Sequence, residues 1–228
     1  MGGVNVKNTI VERVLQIIAP HPCSGCAKVG SALCLDCKYD IINDRFFGCI
    51  LCGTPQSSGI CITHESPIER AFTVSARTGA VETLVNRLKF QNTKAAALSL
   101  AELFDDTLPL LPDDTELIPL PTVQSHSRQR GYDQVDLITR HLAGMRNLRI
   151  TRPLIRKTTA TQKTANRKRR ISQSMQAFAI NSTPIKGKRV LLIDDVVTTG
   201  ATLQAATRLL KDAGATVWVA TLAYQPLD

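Results

Sequence analysis

Apolar residues recur along this chain with two periods, and the alternation of those periods predicts its architecture. Four consecutive β-formers, Val190 to Ile193, read as a strand buried on both faces. Leu203, Ala206, Leu209 and Leu210 follow at the spacing of one helical face. Upstream, Phe72–Ala76 reads as a strand, and Val81, Leu84, Val85 and Leu88 fall on one side of a helix that ends at Lys89 and Phe90. A second helix is expected over Thr93–Leu103, then a Pro-, Leu- and Asp-rich loop over Leu108–Asp114 and a short strand over Glu116–Pro121. Gly131–Leu142 reads as a helix, Arg149–Ile155 as irregular or a short strand, and Phe178–Ile180 as an edge strand. Thr216–Tyr224 is the last strand, entered after Gly214 as a helix cap. Strands alternating with helices predict an α/β fold, a mostly parallel sheet flanked by helices. At the other end, Ile10, Val11, Val14, Leu15 and Ile18 predict an amphipathic helix within residues 1–20, closed by Pro20. No apolar run approaches the eighteen or so residues of a membrane span, so no membrane insertion is expected.

Chemistry enters where the buried strand ends. Asp194 and Asp195 are expected at its carboxyl end, the edge at which open α/β sheets bind ligands. Val196, Val197, Thr198, Thr199, Gly200, Ala201 and Thr202 then lead into the helix. A turn of such small residues lets backbone N–H groups and threonine hydroxyls wrap a phosphate at a helix N-terminus. The two carboxylates can accept ribose hydroxyls or hold hydrated Mg²⁺. Strand, acidic pair, small-residue turn and helix together make a site for a phosphorylated sugar. An acidic pair alone, which often only caps a helix, would not.

All seven cysteines lie between positions 23 and 61. Cys23, Cys26, Cys34 and Cys37 form two C-x-x-C pairs, and Cys49, Cys52, Cys61 and His64 form a second set of four. Two-residue spacing turns both thiolates of a knuckle toward one tetrahedral ion, so two structural Zn²⁺ sites are expected, as in a double zinc ribbon. Cross-brace pairing between the sets stays open. Disulfides are disfavoured, because the N-terminus has no export pattern and a cytoplasmic chain keeps its thiols reduced. On the same ground Asn181-Ser182-Thr183 is discounted as a glycosylation acceptor. These boundaries divide the chain into residues 1–20, a zinc-ribbon domain at 21–68 and a catalytic-type domain at 69–228.

Charge adds one feature. Residues 124–170 hold thirteen Lys/Arg against two acids, a net +11 that exceeds the +9 of the whole chain. Such a stretch implies a polyanionic partner. Only 4% of residues are aromatic, so single-stranded DNA held by residues 124–170 would be bound through its phosphates rather than by base stacking.

The string Val190–Thr202 resembles the signature of type I phosphoribosyltransferases for 5-phosphoribosyl 1-diphosphate (PRPP). More of the chain resembles one group of such proteins. Ile118-Pro-Leu-Pro121 with Arg128, Arg130, Gly131 and Tyr132, and Arg156, Thr161-Gln162, Arg167, Arg170 and Ala177-Phe178, are similar to segments of the ComF family. The amphipathic N-terminus, cysteine head and C-terminal string follow in that family's order. Departures are His64 and the very basic run Arg167–Arg170. The resemblance implies that Asp194 and Asp195 face the ribose and that Val196–Thr202 cradle its 5-phosphate. Pro121 lies in the diphosphate loop, and Arg128, Arg130 and more weakly Lys89 would clamp the diphosphate of a Mg²⁺-PRPP complex. It further implies a role in natural competence, with competence-machinery proteins as candidate partners. Two other readings stay open at this point: a salvage transferase acting on a free base, and a non-catalytic nucleic-acid binder with a regulatory PRPP pocket. No protein nucleophile is expected in any of them.

Overall fold

A computed structural model of the protein describes residues 20–157 and 177–226. The expected N-terminal helix therefore lies, but for Pro20, outside the described residues, as do Thr161, Gln162 and the Arg167–Arg170 run. A hairpin of β1 (His21–Pro22) and β2 (Val29–Gly30) leads to α1 (Leu35–Asn43). Then come β3 (Ala71–Ala76), α2 (Gly79–Phe90), α3 (Ala95–Thr107) and β4 (Glu116–Pro119). Helices α4 (Gln124–Arg130) and α5 (Gln134–Arg146) precede β5 (Arg149–Ile150) and β6 (Leu154–Arg156). After them come β7 (Phe178–Ile180), β8 (Arg189–Val197), α6 (Ala201–Asp212) and β9 (Thr216–Tyr224). Among these described residues no helix is long and apolar enough to cross a membrane.

Five strands form one sheet in the order β3-β9-β8-β4-β5, and every neighbouring pair is parallel. Side chains alternate across it. Leu191 and Ile193 of β8 join Val74 and Leu117 beneath α2, α3 and α5, against Leu84, Leu88, Phe104, Ile138 and Leu142. Val190 and Leu192 join Ile118, Val217 and Val219 beneath α6, against Leu203, Ala206 and Leu210. Each such leucine, taken fully out of water, contributes about 1.5–3 kcal/mol. The cysteine-rich head is built into both layers: Cys23, Ala32 and Leu33 belong to the first core, and Ile50, Ile60 and Ile68 to the second.

Three elements differ from expectation. The helix expected from Gly131 begins only at Gln134, and an unexpected helix, α4, precedes Gly131. Gly131, at φ 76°, closes α4 in the left-handed conformation, and the Asp133 side chain caps α5 by accepting from the Val135 and Asp136 N–H groups. Helix α4 has the sequence Gln-Ser-His-Ser-Arg-Gln-Arg, without an apolar face for periodicity to reveal. Residues 149–155 split at Pro153, with β5 joining the main sheet and β6 pairing antiparallel with β7 in a separate hairpin. Strand β8 does not end at Ile193; it runs through the acidic pair to Val197.

Candidate functional site

That extension creates the crevice. Strand β4 pairs with β8 only as far as Pro119↔Ile193, whereas β9 accompanies β8 to Val197↔Tyr224. From Asp194 onward one edge of β8 is open. The chain leaves β4 toward β5 and leaves β8 toward β9, so the gap lies at the topological switch point of the sheet. A cavity of about 630 Å³ occupies it, within the range of small-ligand sites. Lys89, Pro121, Arg130, Asp194, Asp195 and Thr202, all expected site residues, line it. Arg128 shares α4 with Arg130 but is exposed and does not line the cavity. Within the small-residue loop Thr202 reaches the cavity wall, and Gly200 is buried as the left-handed N-cap of α6.

Adjacent residues on a strand face opposite ways, and the two carboxylates have different surroundings. Asp195 continues the face of Leu191 and Ile193 and is buried. Lys89 Nζ from α2 lies 3.0 Å from its Oδ1 and 2.9 Å from its Oδ2. Gln134 of α5, also buried, donates to Oδ2 at 3.2 Å and accepts from Arg130 at 2.7 Å. Asp194 continues the opposite face, and two positive charges act on it, Lys89 and, more weakly, Arg156. Burial, and then the charge of Asp195, push the Asp194 carboxyl up to about 8, against the backbone N–H of Asp195, Lys89 and Arg156. Arg156 itself lies 5.2 Å over the Phe178 ring and donates to the Pro121 carbonyl at 3.3 Å. The Pro121–Val123 turn is held by a hydrogen bond from the Thr122 N–H to Asp133, at 3.0 Å.

Gln134, Arg156 and Asp133 were not among the expected site residues, yet each carries a sequence signal. Gln134 stands on the core-facing side of α5 with Val135, Ile138 and Leu142, where an apolar residue belongs. Arg156 takes an inward position of β6, two residues after buried Leu154. Asp133 precedes an amphipathic run, as an N-cap should.

The head forms two clusters, Cys23/Cys26/Cys34/Cys37 and Cys49/Cys52/Cys61/His64, and in each the ligand atoms lie within 4.8 Å of one another. The sulfurs of Cys26 and Cys34 lie 3.7 Å apart and those of Cys52 and Cys61 3.6 Å, too far for disulfides, and all seven cysteines are free. Both distances match the edge of a tetrahedron, about 3.8 Å for Zn–S bonds of about 2.3 Å. Backbone N–H groups of Gly25, Cys34 and Leu51 point at Cys23 and Cys49 sulfurs from 3.3–3.4 Å. Within each cluster the thiols split. Burial raises Cys37 to about 12, and neighbouring thiols add to the rise. Cys23, despite its burial, is held near 6 by backbone N–H donors. In the second cluster Cys52 is lowered to about 6 by the Thr54 hydroxyl and His64, and burial with its neighbours raises Cys61 to about 11. Closely packed thiolates cannot all ionise without a cation among them. The Nε2 of His64 is buried with no hydrogen-bond partner, a cost that coordination would remove. The donor sets therefore fit metal ions, and each cluster could hold one.

A parallel sheet with an acidic pair and small-residue loop at its switch point defines the type I phosphoribosyltransferase fold. Residues 145–227 match the phosphoribosyl transferase domain family. The chain belongs to the ComF family. It is 30% identical over 195 residues to DNA utilization protein YhgH of Salmonella typhi, covering 78% of this chain and 84% of that one. Competence protein F of Haemophilus influenzae is 29% identical over 199 residues, covering 81% and 86%. Competence protein ComFC of Bacillus subtilis is 25% identical over 199 residues, covering 82% and 81%.

Proposed function

We propose that the crevice binds Mg²⁺-PRPP and that the protein acts in the handling of incoming single-stranded DNA during competence. The competence and DNA-utilization names of its relatives support the second half of this reading. One observation carries the first: β8 continues past its β4 partner, presenting Asp194 and Asp195 at an open edge immediately before a small-residue loop and a helix N-terminus. In this reading the Val196–Thr202 loop holds the 5-phosphate with backbone N–H groups. Asp194, on the Arg156 side, accepts from the ribose hydroxyls. Asp195 holds Lys89 and, through Gln134, Arg130 at the wall where the diphosphate departs. Mg²⁺, when bound, supplies charge neutralisation on that leaving group. The bond from C1 to the diphosphate oxygen breaks and the acceptor's bond to C1 forms, with no protein nucleophile. The head holds two structural zinc ions. Replacing Asp194 and Asp195 together by Ala should abolish PRPP binding in calorimetry while the near-native fold persists. Unchanged affinity in the folded double variant would overturn the assignment. Diphosphate release with a free base as sole acceptor would make the protein a salvage transferase instead.

A further inference from the structure

The second cysteine cluster is in contact with the phosphate loop. Gly200 has φ 68°, and a Cβ placed there would collide with Leu51 Cδ2. Leu51 thus fills the space behind the loop's tightest turn. It stands between two members of the cluster, Cys49 and Cys52, and its own N–H points at the Cys49 sulfur from 3.4 Å. Ile50, fully buried, shares a core with Val197, within the loop, and Leu203, just after it. On the remaining side, the Gly53 N–H closes the knuckle onto the Cys49 carbonyl at 2.7 Å. Gly53, at φ 77°, sits against the Tyr224 ring, so closely that a Cβ would lie 3.0 Å from its hydroxyl. Tyr224 is the β9 partner of Val197, and the next N–H, of Gln225, donates to the Val197 carbonyl at 2.9 Å. Leu51 therefore meets the loop directly, Ile50 shares the core that supports it, and Gly53 reaches it through Tyr224. The first cluster lies in the other layer, with Gly25 near Ala80 of α2.

We propose that the Cys49–Cys52 knuckle is the seat of the phosphate loop, with Leu51 as its positioning residue, so that metal at Cys49, Cys52, Cys61 and His64 and a phosphorylated sugar at residues 196–202 strengthen each other's binding. The inference rests on the loop being the 5-phosphate site. Its physical basis is that metal ligation fixes the knuckle's backbone, because binding free energy at such a site is folding free energy. A knuckle without its metal is free to withdraw Leu51, and Gly200 is then deprived of the wall that holds its left-handed turn. Coupling between sites is reciprocal, so a ligand that orders the loop must also retain the metal.

The test uses the full chain carrying two zinc ions, with transfer of zinc to a chromogenic, zinc-selective chelator followed with and without Mg²⁺-PRPP. A Cys26→Ser variant assigns the phase belonging to the first cluster. Saturating PRPP should raise the chelator concentration that draws half the zinc from the second cluster at equilibrium at least about fivefold, the lower end of ordinary coupling, and leave the first cluster unchanged. Leu51→Ala should keep two zinc ions, weaken PRPP binding by a similar factor and lose the effect of PRPP on zinc release. Leu51→Met, which refills the space behind Gly200, should restore both. If PRPP binds the wild type but zinc release does not change, the coupling is refuted while the site assignment stands. If PRPP does not bind the wild type at all, the reading of the loop and this inference fall together. Should Leu51→Ala not fold, the wild-type zinc release decides.

Discussion

The ion pair between Lys89 and Asp195 offers a direct measure of what holds the acidic pair in place. In Lys89→Met the carboxylate keeps one donor, the Gln134 amide at 3.2 Å. Both oxygens lose an ammonium that stood 2.9–3.0 Å away. Removing one partner of a fully buried pair costs about 3–5 kcal/mol, because the remaining charge is left uncompensated. Here the Asp195 side chain is 8% exposed and that of Lys89 18%, and both open on a cavity that water can enter. A discounted cost of about 2–3 kcal/mol follows. In a domain of this size, about 2–4 °C is lost per kcal/mol, so the melting temperature should fall by roughly 4–12 °C. The assay is urea unfolding at pH 8 in the presence of zinc, followed by fluorescence of Trp218, the chain's single tryptophan, which stands on β9. A double-mutant cycle separates the charge from the packing. Asp195→Asn removes the stranded charge, so Lys89→Met should cost much less in that background. The coupling should be about 1.5 kcal/mol or more, within the range found for contacting residues. A loss below about 0.5 kcal/mol in Lys89→Met, or additive losses in the double variant, would show that Asp195 is held by something other than this pair.

The raised Asp194 carboxyl gives two pH dependences with fixed signs. Between the ordinary carboxylate value near 4 and its folded value of about 8, the folded chain keeps a proton that the unfolded chain has lost, so its contribution to stability falls as pH rises through that window. Binding that favours the carboxylate must displace the proton, so Mg²⁺-PRPP affinity should rise with pH toward about 8, and calorimetry in two buffers of different ionisation enthalpy should register proton release that Asp194→Asn abolishes. For DNA, the basic segment divides by structure: Arg146 is bound to Asp105 at 2.8 Å, and Arg140 and Arg152 both pair with Asp136, whereas Arg128, Arg149 and Lys157 are exposed. Replacing those last three by Ala should weaken single-stranded DNA binding regardless of sequence, with the log-log salt slope falling by about 0.7 for each DNA phosphate no longer neutralised; an unchanged slope excludes them from the interface.

What the sequence made legible was local. Buried runs such as Val190–Ile193 and helix faces such as Val81–Leu88 appear where expected because burial imposes their period within a dozen residues. The cysteine knuckles were legible because both ligands of each pair share one short turn. What stayed hidden depends on long-range geometry. Lys89, Gln134 and Asp195 meet from α2, α5 and β8, separated by tens of residues, and no period links them. Leu51 and Gly200 touch across 149 positions, and Leu51 in isolation is an ordinary apolar residue between two cysteines. The acidic pair is the instructive case. Its two members were expected to share one task because the resemblance implies that both face the ribose. On a strand, neighbours point to opposite faces. Once β8 continues through Asp194 and Asp195, the two carboxylates face opposite layers and differ in partners: Lys89 and Gln134 bond Asp195 directly, whereas Lys89 and Arg156 act on Asp194 through their charge. Strand continuation was the missing fact, and it is set by β9: Asp194↔Thr221 through Val197↔Tyr224 keep β8 extended after β4 has ended. The layer that each carboxylate enters is thus decided by the pairing partner of their strand, a residue run that follows them in the chain and shares none of their chemistry.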